Sequence, residues 1–202
     1  MKKYPALALI ELSNIAAGIL TGDAMVKVAP ISVLKAGTVH NGKYLILVGG
    51  SVASVEEAYY KGLTAGAEQV IDKVLLPDVH NSVNDAVLGK RSNCTDEALG
   101  VFETSSVAAT IQSADAAVKS TRVKILEIRL ADDIGGKAFV LYNGKVEEVA
   151  EALVISRNAL ADPSIILNES LIPNLHSDMV KQLDRSSYFS KNNLKKLEGG
   201  EL

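Results

Sequence analysis

The sequence predicts an α+β chain built from two tandem ferredoxin-like modules, each running β-α-β-β-α-β. Three observations carry this. Ala6 to Ala29 (ALALIELSNIAAGILTGDAMVKVA) returns as Ala98 to Thr121 (ALGVFETSSVAATIQSADAAVKST), identical at 11 of 24 positions with Glu11 answered by Glu103. Unrelated segments would agree at roughly one or two, so the chain is two copies of one unit. Short apolar runs bounded by turn residues alternate with helix-period stretches in the same order in both copies. Finally, 202 residues with 48% apolar content suit two domains of roughly 90 residues, a size that folds alone around a modest core.

Taken in order, Ala6 to Leu12 reads as a buried strand, and Ser13 as the N-cap of a helix that runs through Val28 and stops at Pro30. Ile15, Ile19 and Val26 are answered by Val107, Ile111 and Val118, so the same helix face is expected to be buried twice. Ile31 to Val39 and Lys43 to Val48 are strands of an antiparallel hairpin, joined by His40-Asn41-Gly42. Gly49-Gly50-Ser51 ends that run, Val52 to Ala67 is helical by pattern, and Val70 to Leu76 returns to strand before Pro77. This order is the split βαβ arrangement, with two helices on one face of a four-stranded antiparallel sheet. His80 to Leu88 adds a short third helix.

The second copy repeats the order with a longer hairpin loop, two residues having entered around Asp132-Asp133-Ile134-Gly135. The domains expected are residues 1–90 and 98–180, with a polar linker 91–97 between them and a polar tail 181–202 that has no partner in the first module. The tail reads either as unstructured or as carrying a short helix around Leu194 to Leu197 that docks on a neighbour.

A net charge of −3 and 4% aromatic content with no Trp exclude a nucleic-acid surface, which needs clustered cations and stacking rings. No apolar stretch reaches the ~20 residues of a membrane span. The single cysteine, Cys94, lies in a polar run, so no intrachain disulfide can form, a reducing cytoplasm fits, and an ordinary exposed thiol is expected. Gly37 to Lys43 matches G-x-x-x-x-G-K, but Tyr44 follows where a phosphate loop needs Ser or Thr, and a strand follows where it needs a helix. His80 and His176 open equivalent short helices, which suits capping better than metal or acid-base work. No nucleophile, base and orienter come together in sequence, so the chain reads as non-enzymatic. Asp23 with Lys27 and Asp115 with Lys119 are i,i+4 pairs, worth a few tenths of a kcal/mol when exposed. Their Ala-rich surroundings suit an edge where one particle lies against another.

The E-L/T-x-S-x-x-A start, the D-A-M-V-K and D-A-A-V-K helix ends, the G-K after each hairpin and the P-x-x-H together resemble bacterial microcompartment (BMC) shell domains. Two unpermuted copies resemble the tandem-domain shell proteins that form trimers, in particular the iron–sulfur-binding propanediol-utilisation type. The resemblance covers about residues 5 to 180. It implies a structural shell protein in which three chains make a pseudohexamer that tiles facets with hexameric shell partners, encloses enzymes in the cytoplasm, and offers a central pore for metabolites, ions or electrons. On the same grounds the edge lysine falls on Lys27 and Lys119. The pore loops fall on Val39, His40, Asn41 and Gly42, and on Asp132, Asp133, Ile134, Gly135 and Gly136. The alternative from another class is a ferredoxin-like small-molecule-binding or sensor protein.

One departure matters. Where iron–sulfur-binding relatives carry a Cys in the first pore loop, this chain has His40. A thiolate-held cluster needs Cys ligands, so a pore without cofactor is the first reading, with an iron–sulfur cluster at the trimer axis kept as an alternative. The second is a metal ion held by three copies of His40 at the threefold axis, since neutral imidazoles suit zinc, iron or copper.

Overall fold

The computed structural model describes residues 4–194 and 197. Module one contains β1 (Ala6–Leu12), α1 (Ile15–Val28), β2 (Val33–Thr38), β3 (Tyr44–Gly50), α2 (Val52–Gly66), β4 (Val70–Leu76) and α3 (Asn81–Val87). Module two contains β5 (Ala98–Thr104), α4 (Val107–Ser120), β6 (Lys124–Leu130), β7 (Ala138–Gly144), α5 (Val146–Asn158), β8 (Ile166–Ile172) and α6 (Ser177–Arg185). The sheets have the orders β2-β3-β1-β4 and β6-β7-β5-β8, and every pairing is antiparallel. Two ferredoxin-like modules are therefore present, as the element order implies.

β1 is buried along its whole length, which is why it reads as a continuous apolar run instead of an alternating one. Ala8, Ile10, Ile46 and Val48 lie with Val55, Ala58 and Tyr59 of α2 in one core. The other side chains of the same strands, Leu7, Leu9, Leu45 and Leu47, join Val83 and Val87 of α3 in a second core. This second core continues into Phe102, Ile111 and Tyr142 of module two. One of the cores is thus shared by both modules.

Local differences from the expected boundaries have simple causes. α1 is capped by Asn14, whose side chain accepts from the Ala17 N–H at 2.9 Å, because the Ser13 hydroxyl is turned to Gln69 instead. β3 runs on through Gly49 and Gly50, which pair with Leu7 and Ala6. A Cβ on Gly49 would lie 2.7 Å from Val33 Cγ2, so the glycines permit close strand approach here and do not end the strand. His80 and His176 cap α3 and α6, each ring accepting from a backbone N–H two residues on.

The polar connection is pinned along its length. Arg91 bridges to Glu127 at 2.9 Å and donates to the Leu183 carbonyl, and the Cys94 N–H donates to Asp184. The buried Asn143 accepts from the N–H groups of Thr95 and Asp96 and donates to the carbonyls of Asp96 and Ala98, so all four of its hydrogen-bonding positions are used. Cys94 is half-buried, not freely exposed; burial and then the Asp184 carboxylate push its thiol up to about 11. Beyond residue 180, α6 continues to Arg185 and a 3-10 turn spans Phe189–Lys191. Ser187 bonds Glu127 and Tyr188 lies under Arg129, so this stretch is packed on module two rather than trailing as a polar tail. Its polar composition concealed partners some 60 residues away in sequence. The helix expected around Leu194 to Leu197 lies outside the described residues.

Candidate functional site: the joint between the modules

α4 inserts between the modules, with Val107 and Ile111 at 0% exposure and Val118 at 8%. Their counterparts on α1 are open: Ile15 is 46%, Ile19 58% and Val26 40% exposed. The expectation that this face is buried twice is therefore wrong for the single chain. α4 is covered by β4 and α3 of module one, while among the described residues nothing stands in the equivalent place beside α1.

Glu11 is the centre of the joint. Its carboxylate, at 0% exposure, accepts from Ser106 Oγ at 2.8 Å and from the Ala108 N–H at 2.7 Å. A carboxylate of module one thus sits at the N-terminus of α4, where the helix dipole and free N–H groups favour negative charge. Lys43 completes the site, reaching Glu11 at 3.4 Å and the carbonyls of Ser105 at 3.0 Å and Gly136 at 3.1 Å. Its ammonium is fully committed, which removes the remaining reason to read Gly37 to Lys43 as a phosphate loop. The Asp72 carboxylate also lies against the Ser106 hydroxyl, whose one proton is shared between the two acids.

The repeated pair at the other end is incomplete. Glu103 holds Lys137 at 2.5 Å with both side chains partly exposed, at 26% and 44%. Among the described residues no helix N-terminus is delivered to it, and no carboxylate is delivered to the N-terminus of α1. Val83 of α3 is buried beside α4, whereas its counterpart Met179 on α6 is 51% exposed.

The expected edge residues fall into two settings. Asp23 and Lys27 form an open pair at 2.6 Å, the side chains 52% and 71% exposed. Asp115 and Lys119 form the same pair at 2.6 Å, but Asp115 is buried and accepts the His80 N–H at 2.8 Å, and Lys119 donates to the Asp78 carbonyl. In module two the pair serves the joint, because α3 of module one arrives beside it.

The two expected pore loops are brought together. The first is a single 3-10 turn, His40–Gly42, with Asn41 and Gly42 at φ 69 and 72. The second turns through positive φ at Ala131, Asp133, Gly135 and Gly136. A Cβ on Gly136 would lie 2.8 Å from the His40 carbonyl oxygen, so this position needs glycine for closeness as well as for φ. The Asp133 N–H donates to His40 Nδ1 at 3.0 Å. The Nδ1 side of the His40 ring is thus engaged by the second loop of the same chain. Among the described residues no three His, Cys, Asp or Glu side chains gather as a metal site. Cys94 packs against the outer face of module two.

Sequence reasoning missed the Glu11–Lys43 joint. The signal was present, because both residues repeat as Glu103 and Lys137, but nothing local says that a carboxylate will meet a helix 97 residues away.

Comparison with known proteins follows the same two-part division. The BMC domain family matches residues 6–79 and again residues 98–175. The bacterial microcompartment shell protein PduT of Citrobacter freundii is 35% identical over 178 residues, covering 88% of this chain and 97% of that one. The carboxysome assembly protein CcmO of Synechocystis sp. is 22% identical over 202 residues, 93% of this chain and 67% of that one. Among solved structures, a microcompartment protein from Desulfitobacterium hafniense DCB superposes with a TM-score of 0.77 at 35% identity, covering 87% of this chain and 98% of that one. A fused permuted hexameric shell protein of the RMM microcompartment shares the fold, with a TM-score of 0.56 at 20% identity over 77% of this chain and 84% of that one.

Proposed function

The chain belongs to the BMC-domain family of microcompartment shell proteins, and from that premise we propose that three copies close into a ring of six modules that tiles the shell of a bacterial microcompartment in the cytoplasm. The carrying observation is the pair of half-made joints. One flank offers the apolar face of α1 and its uncovered N-terminus; the opposite flank offers Glu103, Lys137 and Met179. These are the counterparts of the two surfaces that meet inside the chain, so a second copy can satisfy both. A head-to-tail contact of this kind closes into a ring when its rotation allows.

In that ring the loops 39–42 and 131–136 line the opening, and the Asp23–Lys27 flank takes the contact that Asp115 and Lys119 take within the chain. The role is structural, without catalysis, and the opening works without metal. Hexameric shell proteins are the partners expected at the outer edges and enzymes the expected contents. Family membership does not favour the sensor alternative, and no helix among the described residues is long and apolar enough to cross a membrane.

Light scattering on the purified protein tests the reading. The chain of 21.4 kDa should elute with three times that mass. Ile19→Glu, at a position already 58% exposed, should leave the chain folded and monomeric. A monomeric parent protein at micromolar concentration, or an Ile19→Glu variant still trimeric, would overturn it.

A further inference from the structure

A cavity of about 280 Å³ lies where the end of α3, strand β6, strand β2 and the C-terminal stretch meet. Five cations line it: Lys35, Lys90, Arg91, Arg129 and Lys191. Two are neutralised by neighbours, Lys90 by Asp85 at 2.7 Å and Arg91 by Glu127 at 2.9 Å. The second oxygen of Glu127 accepts from the Ser187 hydroxyl at 2.7 Å, and its single negative charge is matched by Arg91.

Arg129 is the anomaly. It is only 9% exposed, its guanidinium carbon lies 3.5 Å above the Tyr188 ring, and its guanidinium hydrogen bond among the described residues, to Ser187, is long at 3.4 Å. Its Nε is buried with no partner among the described residues. A buried guanidinium without a carboxylate is costly, and aromatic stacking on one face does not neutralise it. Lys35 and Lys191 also lack an ion pair among the described residues, though Lys191 stands 4.5 Å from the same Tyr188 ring. Against these three cations stands Asp132, leaving a local excess of two positive charges.

The fold does not require this arrangement. Arg129 pairs with Phe139 at the register where, in module one, Gly37 pairs with Leu45, and Gly37 has no side chain to offer. One copy of the module builds the same hairpin without the cation, so the cation serves something other than the hairpin.

We propose that this cavity binds a small phosphate-bearing anion, with the Arg129 fork and Lys35 holding the phosphoryl oxygens and Tyr188 backing the guanidinium. A phosphoryl group carries close to two negative charges at neutral pH, matching the excess, and accepts the planar donors of arginine in pairs. The volume falls just under the usual ~300–1,000 Å³ of ligand clefts, which selects a fragment-sized anion over a nucleotide. The site is independent of ring closure, because module one, module two and the C-terminal stretch of a single chain supply all of it.

Isothermal titration of the full chain with inorganic phosphate, at constant ionic strength, tests this. Saturable binding at one site per chain is expected, weakened about tenfold or more in Arg129→Gln and severalfold in Lys35→Gln, which lies on the exposed strand and leaves the core untouched. If Arg129→Gln loses its native circular dichroism, the Lys35→Gln result decides. Phosphate that does not bind, binds equally well to Lys35→Gln, or binds more weakly than succinate overturns the assignment. Because the titration reads each chain, its failure leaves the ring proposal untouched, and a monomeric protein that binds phosphate leaves this one standing.

Discussion

Removing the Glu11 carboxylate and removing its repeat at Glu103 should have unequal effects on one chain and equal effects on a closed ring. In Glu11→Ala the Ala108 N–H loses its acceptor inside a buried joint, which costs about 1–3 kcal/mol. Lys43, with a side chain 12% exposed, loses its counter-charge, and breaking a buried pair costs about 3–5 kcal/mol in total. The carbonyls of Ser105 and Gly136 still hold the ammonium, so the lower part of that range, about 3–4 kcal/mol, applies. For a chain of this size each kcal/mol moves the midpoint by about 2–4 °C, so a fall of about 6–16 °C is expected. Glu103 in a separate chain is a partly exposed pair with Lys137, worth about 0–1 kcal/mol. Within the ring Glu103 acquires the N-terminus of a neighbour's α1, and its loss should approach that of Glu11. Thermal unfolding of both variants, at concentrations above and below that at which the parent trimer dissociates, separates these cases. The reasoning fails if Glu11→Ala costs under about 1 kcal/mol, or if Glu103→Ala stays near neutral where the parent is fully trimeric.

Three further outcomes follow from particular residues. Cys94 should react with a thiol reagent at pH 8 about tenfold more slowly than a free cysteine: a thiol raised to about 11 has roughly a hundredfold less thiolate, partly offset by the greater nucleophilicity of the more basic sulfur. Asp184→Asn should speed it, and an ordinary rate in the parent protein would contradict the burial described. Asn143→Leu strips four backbone groups of their partner and should cost about 3 kcal/mol in urea unfolding, the sum of modest net hydrogen bonds; a loss under about 1 kcal/mol would show that those groups find water instead. Purified protein should contain well under one metal ion per three chains, and added zinc should not raise its melting temperature. One tightly held ion that disappears in His40→Ala would overturn the metal-free opening and place His40 among its ligands.

Much of the fold could be read in the residues themselves. The repeat from Ala6 to Ala29, the turns at His40–Gly42 and after Leu130, and the paired histidines at the starts of α3 and α6 are local signals, each carried by a few neighbouring residues. β1 and β4 fall at the expected residues because their apolar runs are bounded by Pro5, Ser13 and Pro77. Periodicity says which face of a helix is apolar, but not what covers it. Ile15 and Val107 are equivalent in sequence, yet one is open and the other buried, because only α4 finds a second module of the same chain beside it. The joint, the pinned linker and the packing of Tyr188 on Arg129 depend on groups far apart in sequence, whose pairing is decided by where the two sheets come to rest. The tertiary structure alone shows that one joint is made within the chain, while the equivalent residues on the two outer flanks stay exposed.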